Sequence, residues 1–148
     1  DIRNEHFLFN TIVLLIFSLS ACNINKEYTH PELIAEKFAS YYFNYDFNKA
    51  FSLCTEESKQ WITFHVSNIS QDELNYKNQH KITSTAKVVE SIYYNDSLVK
   101  TTVILNKVIK KSLYNDSVFC ESARTEVTLV KRGENWLIKM EAPLQSEK

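Results

Sequence analysis

Apolar residues recur along this chain in three rhythms, and each predicts a different kind of segment. Phe7 to Leu19 (FLFNTIVLLIFSL) is almost unbroken, interrupted by Asn10, Thr11 and Ser18. As a helix this run rises about 20 Å against a bilayer core of roughly 30 Å, which suits a signal-peptide core better than a permanent span. From residue 29 the spacing turns helical. Ile34, Phe38, Tyr41 and Tyr45 form an amphipathic stripe, with Thr29 as cap, Pro31 in the first turn and Glu32 placed for a capping box. Asp46 is set to cap a second short helix carrying Phe47, Ala50, Phe51 and Cys54 on one face. Thr55, Glu56 and Glu57 open a third, with Ile62, Val66, Ile69 and Trp61. Ser70 and Glu73 frame one more capping box before a helical turn around Leu74.

From Lys81 the period falls to two. Ile82, Ala86, Val88 and Ile92 alternate with polar neighbours, as in a half-buried strand. Tyr-Asn-Asp-Ser occurs at 94–97 and again at 114–117, marking two hairpin turns, and Arg132-Gly133 marks a third. Four antiparallel strands follow, at about 82–94, 98–113, 118–131 and 135–141. A two-residue loop at Asn95-Asp96 pairs Val88 with Val103, Ala86 with Leu105 and Ile92 with Val99. A three-residue loop at Asn115-Asp116-Ser117 pairs Leu105 with Val127, Val103 with Leu129 and Leu113 with Phe119. The third turn pairs Leu129 with Trp136 and Val127 with Ile138. One apolar sheet face results, which the helices must cover, so the class is α+β: N-terminal helices on a curved four-stranded antiparallel meander.

Composition narrows the function. The 148 residues give room for one domain, and a single glycine, Gly133, excludes phosphate-cradling loops and dinucleotide fingerprints. A net charge of -1 argues against a nucleic-acid partner. No cysteine or histidine spacing forms a metal set, and no cofactor is implied. Cys54 and Cys120 are open to a disulfide in an oxidising compartment, although strand register turns Cys120 away from the helices.

Leu19-Ser20-Ala21-Cys22 resembles the lipobox of bacterial lipoproteins, in which the cysteine receives a diacylglycerol through a thioether. The preceding DIRNEH departs from that pattern, holding one arginine against two acids. The resemblance implies a signal peptide over 1–21, lipid attachment at Cys22, a tether over 22–28 and a folded domain over 29–148. Removing the first 21 residues leaves sixteen basic and sixteen acidic residues, so acyl chains rather than charge would hold the protein to its membrane. It further implies the bacterial envelope. Asn23-Ile24-Asn25-Lys26 lacks an acidic cluster after the cysteine, pointing to the outer membrane facing the periplasm.

The order of helices then meander, with Phe38-Ala39-Ser40-Tyr41-Tyr42, Asp46-Phe47-Asn48-Lys49-Ala50-Phe51 and Leu129-Val130-Lys131-Arg132-Gly133-Glu134-Asn135-Trp136-Leu137-Ile138, resembles the nuclear transport factor 2-like superfamily, with its cone-shaped, cystatin-like fold. That resemblance covers about residues 29–141 and implies a pocket between helices and sheet. Enzymes of the superfamily place an acid or base on the pocket wall. The register turns Ser84, Glu90, Thr101, Lys107, Glu121 and Thr125 inward, making Glu90, Thr101, Lys107 and Thr125 the pocket candidates. Lys111 opposite Glu121 reads as a cross-strand ion pair.

A desolvated Glu90 could act as general base in an isomerase, dehydratase or hydrolase. The remaining residues offer less chemistry. His30, His65 and His80 fall in a first helical turn, beside an apolar stripe and in a loop, and no nucleophile elbow or triad spacing is present. The leading expectation is therefore a non-enzymatic envelope lipoprotein binding a small apolar ligand or an envelope protein. The pocket enzyme using Glu90 is the alternative, and a fully packed, structural domain a third. Tyr93 or Tyr94, with Val89, Ile104, Val108 and Val130, would form an outer apolar face able to support a homodimer.

Overall fold

The computed structural model describes residues 30–111 and 117–147. The apolar run Phe7 to Leu19, Cys22, the expected tether over 22–28, Thr29, Leu113 and most of the second turn lie outside those residues. Among the described residues the order is α1 (Pro31–Phe43), α2 (Phe47–Ser52), a 3-10 turn (Glu56–Ser58), α3 (Lys59–Ser67) and α4 (Gln71–Gln79). Then come β1 (Thr85–Asn95), β2 (Leu98–Lys111), β3 (Ser117–Arg132) and β4 (Asn135–Lys139). The strands form one antiparallel sheet in the order β1-β2-β3-β4, the expected meander with helices on one face.

Helix α1 is the centre of the core and touches all four strands. Its buried stripe is Ile34, Ala35, Phe38, Ala39 and Tyr42, whereas Tyr41 and Tyr45 are half-buried. The stripe therefore runs at i, i+4, i+8 and not through Tyr41 as the spacing predicts. Two alanines beside it let the helix axis approach the sheet, and the Tyr42 ring fills the space beyond. Against it lie Val99, Val103, Leu105, Val127, Leu129, Trp136 and Ile138, all buried.

Contacts from α1 and from the segment after α2 cover part of each sheet edge. Along β1, Glu36 of α1 accepts from the Val88 N–H at 2.9 Å and pairs with Lys87 at 3.2 Å. One turn earlier, Glu32 accepts from the Tyr93 hydroxyl at 2.6 Å. Beside β4, the Ile138 N–H donates to Leu53 C=O at 2.8 Å and Ile138 C=O accepts from Thr55 N–H at 3.0 Å.

Caps and turns fall close to their expected places. The Ser70 hydroxyl accepts from the Glu73 N–H at 3.2 Å. Asp46 occupies the cap position of α2, but its carboxylate pairs with Lys49 at 2.9 Å instead of capping. Gly133, at φ 62°, begins the two-residue connection to β4, one position later than expected.

Register departs from the expected pairs in informative ways. Val88–Val103 and Ala86–Leu105 pair as expected, but Glu90 faces Thr102 and Ile92 faces Lys100, because Val89 is an extra residue in β1. Between β2 and β3 the pairs are Val99–Leu129, Thr101–Val127, Val103–Thr125 and Leu105–Ala123. That is four residues from the expected offset, because the turn is longer than three residues: Lys111 pairs with Ser117. Leu129 pairs with Ile138, two residues off for the later turn. Even-numbered offsets preserve which face is apolar, so the core survives both errors.

A second irregularity does change faces. Lys107 adopts a left-handed φ of 60°, and beyond it the buried positions shift from Leu105 and Ala123 to Val108 and Cys120. The Ser84 hydroxyl donates to Lys107 C=O at 2.7 Å, fixing the kink against the segment that enters β1.

Candidate functional site

The two kinks decide which polar residues face the helices. Ser84, Thr101 and Thr125 are buried as expected. Glu90 and Lys107 are exposed, and so is Glu121. The extra residue Val89 reverses the side of the positions from Glu90 to Tyr93, where a second register shift follows, so Glu90 turns to the outer face; the left-handed Lys107 does the same for itself and Glu121. The desolvation that would make Glu90 a general base is therefore missing. Its carboxylate stands in solvent, 3.5 Å from the Thr102 hydroxyl.

Cys120 is likewise turned inward, contrary to the expected register, and Cys54 is buried on the helix side. Both are free thiols, and burial pushes the Cys54 thiol up to about 12. Cys54 bridges to Ile138, which pairs with Leu129, whereas Cys120 lies nine residues back along the same strand. Nine residues span roughly 30 Å of strand, and a disulfide needs Cα atoms about 6 Å apart. This fold cannot join them.

The cavity lies at the sheet edge, and the C-terminal arm creates it. The β3–β4 ladder ends at Thr128–Lys139. Met140 then leaves the sheet, its N–H donating to the Ser58 hydroxyl at 2.8 Å. The Leu144 N–H donates to the Tyr42 hydroxyl at 3.3 Å, and the Leu144 side chain packs on the core. Glu147 returns to β3, exchanging both backbone hydrogen bonds with Arg124 at 2.7 Å.

Between these two attachments β3 is left without a neighbour. Arg124 turns its N–H and C=O toward the arm, and antiparallel backbone repeats every second residue. The N–H and C=O of Glu126 therefore point into the gap. A cavity of about 660 Å³ adjoins it and reaches over the outer face of the sheet to Glu90, Lys100 and Thr102.

Its wall has two chemistries. Glu90, Lys100, Thr102, Arg124, Glu126, Thr128, Lys139, Glu141 and Glu147 contribute charge and hydroxyls, while Val127, Ile138, Met140 and Leu144 close the inner end. Lys100 pairs with Glu126 at 2.8 Å and Lys139 with Glu141 at 3.5 Å. Among the described residues Arg124, Glu90 and Glu147 form no ion pair. At the inner end is Thr125, 2% exposed, whose hydroxyl has no hydrogen-bond partner among the described residues. The comparable Thr101, fully buried, donates to Val127 C=O at 2.9 Å.

Of the pocket candidates, Glu90 and Thr125 thus line one cavity, from opposite ends; Thr101 and Lys107 do not. The cavity is polar, not the apolar pocket expected for an oily ligand. Sequence reading missed the arm. Alternation ends at Ile138, and the isolated pair Pro143-Leu144 was the one sign that the chain turns back onto the core.

A second polar cluster serves the fold. Asn44, after α1, donates through Nδ2 to Ser40 C=O and Ser84 C=O, both at 2.8 Å, and accepts from the Ser84 N–H at 2.8 Å. Tyr45 donates to the buried Glu73 carboxylate. Burial, then that hydrogen bond, raises the Tyr45 phenol well above its ordinary value. Lys77 donates to Ile82 C=O at 2.8 Å, and burial lowers its ammonium. His65 stacks on Tyr42 with ring centres 4.4 Å apart. None of these side chains lines the cavity.

Of the expected outer apolar face, Val89, Tyr93 and Tyr94 are exposed, but Val108 is buried by the kink at Lys107. Among the described residues no group of histidine, cysteine and carboxylate could hold a metal ion, and no helix is long and apolar enough to cross a membrane.

No protein-family model matches the sequence, and no curated protein does. Among solved structures, the chain is similar to an Ntf2 like protein involved in plasmid conjugation, at 15% identity and a TM-score of 0.46. The likeness covers 78% of this chain, which spans 46% of the length of that one.

Proposed function

We propose that this protein is a lipid-anchored component of the bacterial envelope, attached through Cys22, whose domain holds a small polar ligand in the cavity between β3 and the C-terminal arm. The reading is non-catalytic. Thr125 carries it. A buried hydroxyl without a partner costs roughly 1–3 kcal/mol, and a ligand that reaches the inner end of the cavity supplies the missing bond. The lipobox-like Leu19-Ser20-Ala21-Cys22 after a thirteen-residue apolar run supports the anchor. The same segment supports a periplasm-facing outer-membrane location, since Asn23 to Lys26 holds no acid.

Two experiments test the halves separately. Detergent phase partitioning of the protein expressed with its leader should place it in the detergent phase, and Cys22→Ser should move it to the aqueous phase. An unchanged distribution overturns the anchor. For the cavity, a panel of small polar compounds should raise the melting temperature of the protein, and Thr125→Val should cancel the rise. A panel that leaves both proteins unmoved overturns the ligand reading.

A further inference from the structure

Resting on the ligand reading above, we infer that the cavity takes a short extended peptide, paired to β3 as a substitute strand. The gap presents what a peptide backbone recognises. The Glu126 N–H and C=O stand side by side on an edge whose neighbours, Arg124 and Thr128, are already paired with Glu147 and Lys139. A ligand residue whose N–H donates to that C=O and whose own C=O accepts from that N–H restores the interrupted ladder.

Length is set by the two closures. Arg124 and Thr128 are four residues apart, about 13 Å of strand, which admits roughly three ligand residues. The Arg124–Glu147 bridge shuts the far end, so a long strand cannot thread through as it would along an open edge.

Charge fits a peptide with free ends. Arg124 is the cation, and Glu90 and Glu147 the anions, that form no ion pair among the described residues, and all three line the cavity. They complement a terminal carboxylate and a terminal ammonium. At the inner end Val127, Ile138 and Leu144 surround Thr125, leaving room for a small side chain beside one hydroxyl. The ligand residues on either side of the paired one turn their side chains to the helix face, where Thr125 lies, because successive residues alternate sides.

The test is a titration of the full-length, isotope-labelled protein in detergent micelles with tri-alanine, read at the backbone amides by NMR. The Glu126 amide proton should shift downfield and saturate. Tri-alanine N-methylated at its middle residue has nearly the same bulk but lacks one donor, and should bind about tenfold more weakly, as expected for a loss of roughly one such bond.

Citrate, glucose and inorganic phosphate separate the two readings. If one of them saturates the Glu126 shift and tri-alanine does not, the peptide inference falls and the ligand reading stands. Equal affinity for tri-alanine and its N-methylated form also overturns the inference. If no compound moves the Glu126 amide, both readings fall.

Discussion

Thr101 and Thr125 offer a matched pair of buried hydroxyls in one sheet, and replacing each by valine should move stability in opposite directions. They project from neighbouring pairs, Thr101–Val127 and Val103–Thr125, and are 0% and 2% exposed. Valine keeps the branched shape in both cases, so packing changes little and the hydroxyl is the variable. Thr101 spends its hydrogen on Val127 C=O at 2.9 Å. Its replacement removes a bond of about 1 kcal/mol and leaves that acceptor with one partner fewer, a loss of 1–2 kcal/mol. Thr125 has no bond to lose. Its replacement relieves a desolvated hydroxyl and should stabilise the empty protein by about 1 kcal/mol. With a denaturant slope of about 1.5 kcal/mol per molar urea, the midpoints should move about 0.7 M or more down for Thr101→Val and about 0.7 M up for Thr125→Val. Equilibrium urea unfolding, followed by far-ultraviolet circular dichroism and Trp fluorescence together, measures both. A Thr125→Val midpoint that falls as far as that of Thr101→Val would refute the reasoning, since it would mean the Thr125 hydroxyl is already satisfied in the empty fold. The expected pattern, a variant more stable but unable to bind, is what a site maintained for a ligand should show.

Three further outcomes follow from the geometry. Asn44→Ala strips five hydrogen bonds, three of them at 2.8 Å, and removes both Asn44 partners of the Ser84 backbone, so it should cost about 2–4 kcal/mol in the same urea assay, and a loss under about 1 kcal/mol would show that water replaces the side chain. Lys107→Gly removes a side chain from a left-handed position where L-residues are strained by about 1–2 kcal/mol; stability should hold or rise by up to about 1 kcal/mol, whereas a clear loss would contradict the backbone geometry. Burial followed by hydrogen bonding to Glu32 raises the Tyr93 phenol from 10.0 to about 12, and burial raises Tyr42 and Tyr45 as well. A raised phenol means that the fold holds the proton more tightly than the unfolded chain. The associated stability is complete below about pH 10 and is lost as pH climbs through 12. Absorbance at 295 nm should therefore show a late ionisation phase that coincides with loss of near-ultraviolet circular dichroism; ionisation of every tyrosine near pH 10 with the fold intact would contradict it.

The departures from the expected site trace to particular residues. Alternation places Thr101 and Thr125 correctly on the helix side, because β2 and β3 keep one register and an unbroken period of two through Val99, Val103, Val127 and Leu129, short of the kink at Lys107. Glu90 and Lys107 were assigned inward by the same rule and failed, one directly after the extra Val89 and the other at its own left-handed backbone. Neither residue type announces a bulge. Valine and lysine are ordinary in strands, and no glycine marks either place. The repeated Tyr-Asn-Asp-Ser located two turns, but the same four residues close with different loop lengths, because strand twist and the bend at Lys107 set where β2 and β3 meet.

By itself, the order of hydrophobic periods determined that helices precede a four-stranded meander and which face of β2 and β3 is oily short of the kink at Lys107. Those are local properties, written in spacings of two and of 3.6 residues. Tertiary structure alone decided that the cavity opens at the sheet edge and not beneath the helices. That outcome depends on β4 being shorter than β3, on Leu144 finding the Tyr42 ring and on Glu147 pairing with Arg124. A backbone edge left bare for one repeat has no residue signature, since every amino acid but proline carries the same N–H and C=O.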